Sequence, residues 1–199
     1  MMLVEESTVP EAAVPVTAFR AHLRLGSGFA DDSLQDSVLA QVLRAAMAAI
    51  EARTGKVLLE RGFSWTLVAW RGVDNQPLPV APVSQVSAVT LVDRQGQETA
   101  VASIVWQLVP DRQQPRLRAL GGAFPLIPTG GAVRINFVAG FGPDWADLPA
   151  DLAQAVFLLA AHFYEYRHDM ALPGRRMPGH VAALIENYRT VRIGFGGRT

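Results

Sequence analysis

An α+β fold, in which an antiparallel β region is set inside a helical body, is what this sequence predicts, and three observations carry the prediction. Apolar residues recur at helical spacing toward both ends of the chain, most strongly over about 33–54 and 149–168. Between them, over about 63–141, β-branched and aromatic residues gather in short, partly alternating runs divided by proline and glycine. No helical pattern separates those runs, so the strands pair as antiparallel neighbours rather than through parallel crossovers.

The elements follow in order. Residues 1–14 read as a flexible arm, because Pro10 and Pro15 interrupt helix and Glu5, Glu6 and Glu11 keep the segment solvated. A short helix near 17–25 carries Phe19 and Leu23 and ends at Gly26-Ser27-Gly28. The helix near 33–54 is capped by Asp31, Asp32 or Ser33, whose acidity suits the helix dipole. Leu34, Val38, Val42, Ala45 and Ala49 form one stripe on it, and Leu39, Leu43, Met47 and Ile50 form another. Two adjoining stripes give a wide apolar face that suits more than one neighbour. Gly55 stops the helix.

Five strands are expected in SWTLVAW, VSAVTLVD, SIVWQLV, RLRAL and VRINFVAGF, with turns at Asp93-Arg94-Gln95-Gly96 and Gly121-Gly122. Pro77, Pro79 and Pro82 make the intervening PLPVAPV a stiff, extended connector. Pro149 suits the first position of the helix near 149–168, with Asp151 in its first turn and Leu152, Val156, Leu159 and Phe163 on its core side. After the polar loop HDMALPGRRMPG, Pro178 opens a last helix near 178–192 with Val181, Leu184, Ile185 and Tyr188 on one face. The organisation is an arm at 1–14, one domain at 15–192 with its β insertion at about 60–142, and a flexible tail at 193–199.

Composition narrows the function. Half of the 199 residues are hydrophobic, only 18% are charged, and eighteen basic residues cancel eighteen acidic ones. Such a chain does not favour nucleic acid or a membrane as its main partner. Low charge and a mean hydropathy of +0.18 suggest apolar surface covered by other chains. A compact, alanine-rich monomer is the plainer alternative. The absence of cysteine excludes disulfides and thiolate metal sites. The first fifteen residues lack the basic and apolar regions of a signal peptide, and no apolar run approaches the roughly 18 residues that span a bilayer. A soluble protein with no membrane partner is expected.

Chemistry is harder to find. Of His22, His162, His168 and His180, only His162 has a suggestive neighbour at helical spacing, and that neighbour is Tyr166 rather than a second imidazole. The loops AGFGPDW and GGAFPLIPTGG match neither the phosphate-binding nor the dinucleotide pattern, and Lys56 is the single lysine. No Gly-x-Ser-x-Gly elbow occurs, and the pairs Asp31/Asp32 and Asp144/Asp147 sit where caps are needed. No catalytic residue, metal or cofactor is therefore expected. Arginines do gather late in the chain. Arg175, Arg176, Arg189 and Arg192, with Tyr188 and Phe195, read as a docking patch, because arginine and aromatics are enriched at interface hot spots. A solvated rim is the alternative.

Several segments in order resemble one family. LRAAMAAIEARTGKVLLERGFSWTL, PLPVAPVSQVSAVTLVDRQG, VRINFVAGFGPDWADLPADLAQAVFLLAAHFYEYR and LPGRRMPGHVAALIENYRTVR together cover about residues 17–192. They resemble the head–tail adaptor (head-completion or connector) proteins of long-tailed phages and gene transfer agents. The closing MPGHVAALIENYR departs from the leucine-proline-led version more usual there. The resemblance implies a structural protein at the head–tail junction of a particle assembled in the bacterial cytoplasm. Such proteins form a ring of copies, commonly a dodecamer, under the portal protein. The ring extends the channel through which DNA passes without sequence recognition, and it presents a platform for a stopper or tail-completion protein. It also implies that Tyr188, Arg189, Arg192 and Phe195 dock on the portal. The rival readings are another virion completion protein, such as a stopper, and a small hydrolase or nucleotide-binding enzyme built on the β region.

Overall fold

The structure, a computed structural model, describes residues 1–25, 32–166 and 177–189, with only the backbone described at 32–34. The helices are α1 (Val16–His22), α2 (Asp32–Thr54), α3 (Ala150–Glu165) and α4 (Gly179–Ile185), the last running into a 3-10 turn at Glu186–Tyr188. The strands are β1 (Met2–Glu5), β2 (Arg61–Leu67), β3 (Asn75–Pro77), β4 (Val83–Val92), β5 (Glu98–Ala100), β6 (Trp106–Val109), β7 (Arg116–Ala119) and β8 (Ala132–Ala139). The α+β plan read from the sequence holds.

The helical core forms because α2 and α3 each turn a stripe of mixed large and small side chains toward the other. On α2 the buried stripe is Leu39, Leu43, Ala46, Met47 and Ile50; on α3 it is Leu152, Ala155, Val156, Leu159 and Ala160. The alanines let the two axes approach closely. Phe19 of α1 and Val181 and Ile185 of α4 close the ends of this cluster. α2 stops where Thr54 Oγ1 bonds back to the Ile50 carbonyl at 2.8 Å and Gly55 takes a φ of +70°.

The β region holds a second core. One sheet has the order β1-β2-β8-β4-β5 and the other β3-β7-β6, with every pairing antiparallel. β8 alternates strictly, so Val133, Ile135, Phe137 and Ala139 all face inward. Phe137 stacks on its cross-strand partner Phe63 at 5.6 Å between ring centres. β7 alternates too, turning Leu117 and Ala119 in and Arg116 and Arg118 out.

The two cores meet where residues 57–60 pass residues 139–142. Glu60 N–H bonds the Gly142 carbonyl at 2.9 Å, and Phe141 N–H bonds the Leu58 carbonyl at 3.1 Å. Gly140 has a φ of +142°, and a Cβ there would lie 2.4 Å from Glu60 Cα, so only glycine fits. Glu51 of α2 braces the same junction. It accepts the Leu58 N–H at 2.8 Å and both its oxygens accept from Arg61 Nη2 at 2.8 Å. Arg61 Nη1 reaches Glu5 of β1 at 3.3 Å.

Some expectations need revision. The expected arm at 1–14 is attached: β1 pairs with β2 in register from Met2↔Thr66 to Glu5↔Phe63, Val9 and Val14 are buried, and Arg44 Nη1 bonds the Val9 carbonyl at 3.2 Å. An edge pairing of backbone groups, which charge patterning does not report, outweighs the solvation of Glu5 and Glu6. β3 and β5 are also additional to the five expected strands. The helix near 17–25 is Val16–His22, after which Arg24 takes a φ of +57°. Pro149 is the N-cap of α3 rather than its first residue, and Tyr166 has left the helix. The last helix becomes a 3-10 turn at Glu186 instead of continuing toward 192. The side chains of Asp31, Asp32 and Ser33, residues 167–176 and the tail at 193–199 lie outside the described residues.

Candidate functional site

Tyr188 and Arg189, two of the six expected docking residues, sit where the last 3-10 turn returns to the start of α3. The Tyr188 hydroxyl donates to Asp151 Oδ1 at 2.7 Å, and its ring meets Phe141 edge-on at 6.3 Å. The same carboxylate oxygen accepts the Leu152 N–H at 2.9 Å. Burial, then the hydrogen bond and negative charge of Asp151, push the Tyr188 phenol up to about 12. This hydroxyl holds the C-terminal segment on the body. Arg189 is exposed, and its Nη1 donates to both carboxylate oxygens of Glu186 at 2.9 Å. Arg175, Arg176, Arg192 and Phe195 lie outside the described residues.

Beside this segment a tight turn is set by Asp111, whose Oδ1 accepts the N–H groups of Gln113 and Gln114 at 2.6 and 2.8 Å. Those two bonds, assisted by the charges of Arg116 and Lys56, hold the Asp111 carboxyl below its usual range. Lys56 is buried, and its Nζ donates to the Gln113 carbonyl at 3.4 Å. Burial lowers its pKa while the attraction of Asp111 opposes that shift. The Gln113 side chain bonds the Asn187 carbonyl at 3.0 Å, which ties the turn to the C-terminal segment.

Next to the turn lies a cleft of about 530 Å³. Arg53, in the last turn of α2, and Arg71, after β2, stand exposed on its rim, with Arg189 nearby. Neither Arg53 nor Arg71 forms an ion pair among the described residues. Pro77–Val80 give an apolar wall. Trp65 lines the cleft at 3% exposure, and its Nε1 has no acceptor among the described residues. A smaller hollow of about 370 Å³ lies across β3, lined by Asp74, Asn75, Arg116 and Arg118. Asn75 Oδ1 there is buried and accepts no bond from any described residue. The sequence reading missed this basic surface. It grouped the arginines beyond residue 167 and had no register with which to align Arg53, Arg71, Arg116 and Arg118.

Two apolar surfaces are also left over. On α2 only one of the expected stripes is buried: Val38 and Ala45 of the other are exposed, and Val42 and Ala49 are half-buried. At the end of the β region away from the helices, Val68, Val73, Ile104, Leu120 and Leu126 are exposed, from 54% at Leu120 to 90% at Leu126. Backbone bonds tie these loops together, from Leu120 N–H to the Val105 carbonyl at 2.9 Å and from Phe124 N–H to the Val73 carbonyl at 2.8 Å. Residues 119–133 contain no charged side chain.

The histidines do not converge. His162 is half-buried with its ring 4.7 Å from that of Tyr166, His22 packs on Phe157 at 5.4 Å, His180 is exposed on α4, and His168 lies outside the described residues. Among the described residues no group of three or more His, Cys, Asp or Glu is placed to hold a metal, and no helix is long and apolar enough to cross a membrane. Asp144 and Asp147 form a capping box before α3, with Asp144 N–H donating to Asp147 Oδ2 at 2.9 Å.

No family model matches the chain, and no curated protein matches it. Solved structures do. A chain in the neck of an empty GTA particle, computed with C6 symmetry, is 58% identical with a TM-score of 0.90, over 98% of this chain and 99% of that one. A chain in the virion of a native gene transfer agent (GTA) particle is 58% identical with a TM-score of 0.87, over the same 98% and 99%. A chain in the neck of a native GTA particle, computed with C12 symmetry, is 54% identical with a TM-score of 0.85, again over 98% and 99%.

Proposed function

Because the chain belongs to the neck proteins of gene transfer agent particles, we propose that it is the head–tail adaptor of such a particle. It is a structural component of the neck and not an enzyme. The near full-length likeness to neck chains at up to 58% identity carries the reading. Copies form a closed ring under the portal, twelve-fold in keeping with the C12 neck. The ring extends the DNA channel and presents a platform for the stopper or tail-completion protein. Arg175, Arg176, Arg189, Arg192 and Phe195 meet the portal, while Tyr188 fixes the point from which that segment departs.

Ring closure by one kind of subunit needs two different, complementary patches on each copy. The partly uncovered α2 stripe, open at Val38 and Ala45 and half-buried at Val42 and Ala49, supplies one of them. A chain of zero formal net charge suits the channel, since affinity for a phosphate backbone rises with the number of cationic contacts. Placing aspartate at both Val38 and Ala45 tests the reading. The isolated protein is expected to keep its melting temperature within a few degrees, because both sites are exposed. Particles made with it are expected to lack a complete neck ring by electron microscopy. An unaltered ring overturns the assignment of this face. Density for the wild-type chain in a layer that does not touch the portal overturns the adaptor reading in favour of a stopper.

A further inference from the structure

We infer that the cleft between the end of α2, the 111–114 turn and Pro77–Val80 is a docking site for an extended segment of a neighbouring protein in which acidic and apolar residues alternate. The inference goes beyond the adaptor reading, which gives the portal only Arg189 of this cleft's lining.

The lining is mixed in chemistry. Arg53 and Arg71 offer guanidinium groups that no described carboxylate occupies, and Pro77, Leu78, Pro79 and Val80 offer apolar surface in the same cleft. An extended strand sends alternate side chains to opposite sides, so a segment alternating acidic and apolar residues presents carboxylates to the arginines and apolar groups to the proline-led lining. Guanidinium groups bind carboxylates in a forked, charge-assisted geometry. The buried Trp65 N–H lacks an acceptor, and a main-chain carbonyl of the incoming segment supplies one.

The surface continues along β3. Pro77 lines the cleft and Asn75, two residues away on the same face, lines the smaller hollow. In register with them on β7 stand Arg116 and Arg118. Asn75 Oδ1 needs a donor where Trp65 needs an acceptor. A polypeptide brings both N–H and C=O groups, whereas a phosphodiester backbone brings acceptors only. An apolar wall also gives nothing to a phosphate chain. These observations favour an acidic polypeptide over DNA.

The test uses the isolated chain, so its result does not depend on ring formation or on the adaptor reading. The probe is a short labelled peptide alternating glutamate and valine. Its lysine–valine counterpart and a short DNA duplex serve as competitors. Binding is followed by fluorescence anisotropy and by the indole N–H resonance of Trp65, assigned with Trp65→Phe. The expected result is saturable binding of the acidic peptide with a shift of the Trp65 resonance. The Trp70 resonance stays in place, since its Nε1 already bonds the Pro125 carbonyl at 2.8 Å. The pair Arg53→Glu and Arg71→Glu, both exposed and expected to leave the melting temperature unchanged, is expected to weaken binding about tenfold or more. Absence of peptide binding, unchanged binding to that variant, or a duplex that displaces the peptide at equal salt each overturns the inference, the last by assigning the surface to nucleic acid.

Discussion

The helical body and the β region solve the same burial problem with different leftovers. In the body, the backbone bonds are local to each helix while α2 and α3 pack from opposite sides of the β region in the chain, and the second apolar stripe of α2 stays open at Val38 and Ala45. In the β region, strands distant in sequence pair around β8, and what is left over collects at loops: an uncharged tip at one end and an arginine-rimmed cleft beside the small sheet. The body thus offers a flat, repetitive surface suited to copies of itself. The β region offers shaped, chemically mixed surfaces suited to different partners. Function on this chain follows from which element type supplies the surplus.

The comparison breaks first at the junction. Gly140→Ala forces a methyl group against the Glu60 backbone at a φ that side chains rarely adopt. The expected loss is roughly 3 kcal/mol, or a fall in melting temperature on the order of 10 °C. Calorimetry is expected to show one transition moving as a whole, because residues 57–60 contribute to both cores. If only one of two resolved transitions moves, the regions unfold independently and the junction is not a shared support.

Next in size is the brace. Glu51→Ala leaves the Leu58 N–H and the half-buried Arg61 guanidinium without their carboxylate. A cost of about 2 kcal/mol in urea unfolding is expected, held below the figure for fully buried pairs by partial exposure. Arg61→Met added to Glu51→Ala is expected to recover part of it, since a guanidinium left with only the longer contact to Glu5 is then gone. Simple additivity of the two single changes would mean that they do not interact.

How much the sequence disclosed tracks the range of the interaction. α2, α3 and the strands β2, β4, β6, β7 and β8 are legible because their periodicities are local, and Asp144 and Asp147 are legible as caps because capping is local too. β1, β3 and β5 are not. Met2–Glu5 is a strand only because β2 offers it a free edge, Asn75–Pro77 carries a proline, and Glu98–Ala100 is three exposed residues. The six expected docking residues all lie in the last quarter of the sequence, where their grouping is visible without the fold. The cleft joins Arg53, Trp65, Arg71 and Gln113, which meet only after the sheets have closed. Tyr188 stands in the sequence as one of a late group of aromatics and arginines, which gives no sign that its hydroxyl has a partner 37 residues back along its own chain.

That last contact gives the smallest effect and the sharpest view of how the body ends. Tyr188→Phe removes one hydrogen bond to Asp151, with an expected cost of roughly 1 kcal/mol. The pH dependence carries more information. The phenol titrates at about 12 when folded, against an ordinary value of 10.0, so the fold favours its neutral form. Its contribution is complete below pH 10 and is lost as pH rises toward 12. Wild type is therefore expected to lose stability more steeply than Tyr188→Phe across that window. Phenolate absorbance, taken as the difference between the two proteins, reads the same group directly. Asp151→Asn removes the negative charge and is expected to bring the titration back toward 10. A folded wild-type phenol that titrates near 10 would show that Tyr188 is not held against Asp151, and the segment beyond it would then leave the body earlier in the chain. With the anchor in place, the part of this closing segment left to meet a partner begins at Arg189, since the Tyr188 hydroxyl is already engaged within the chain.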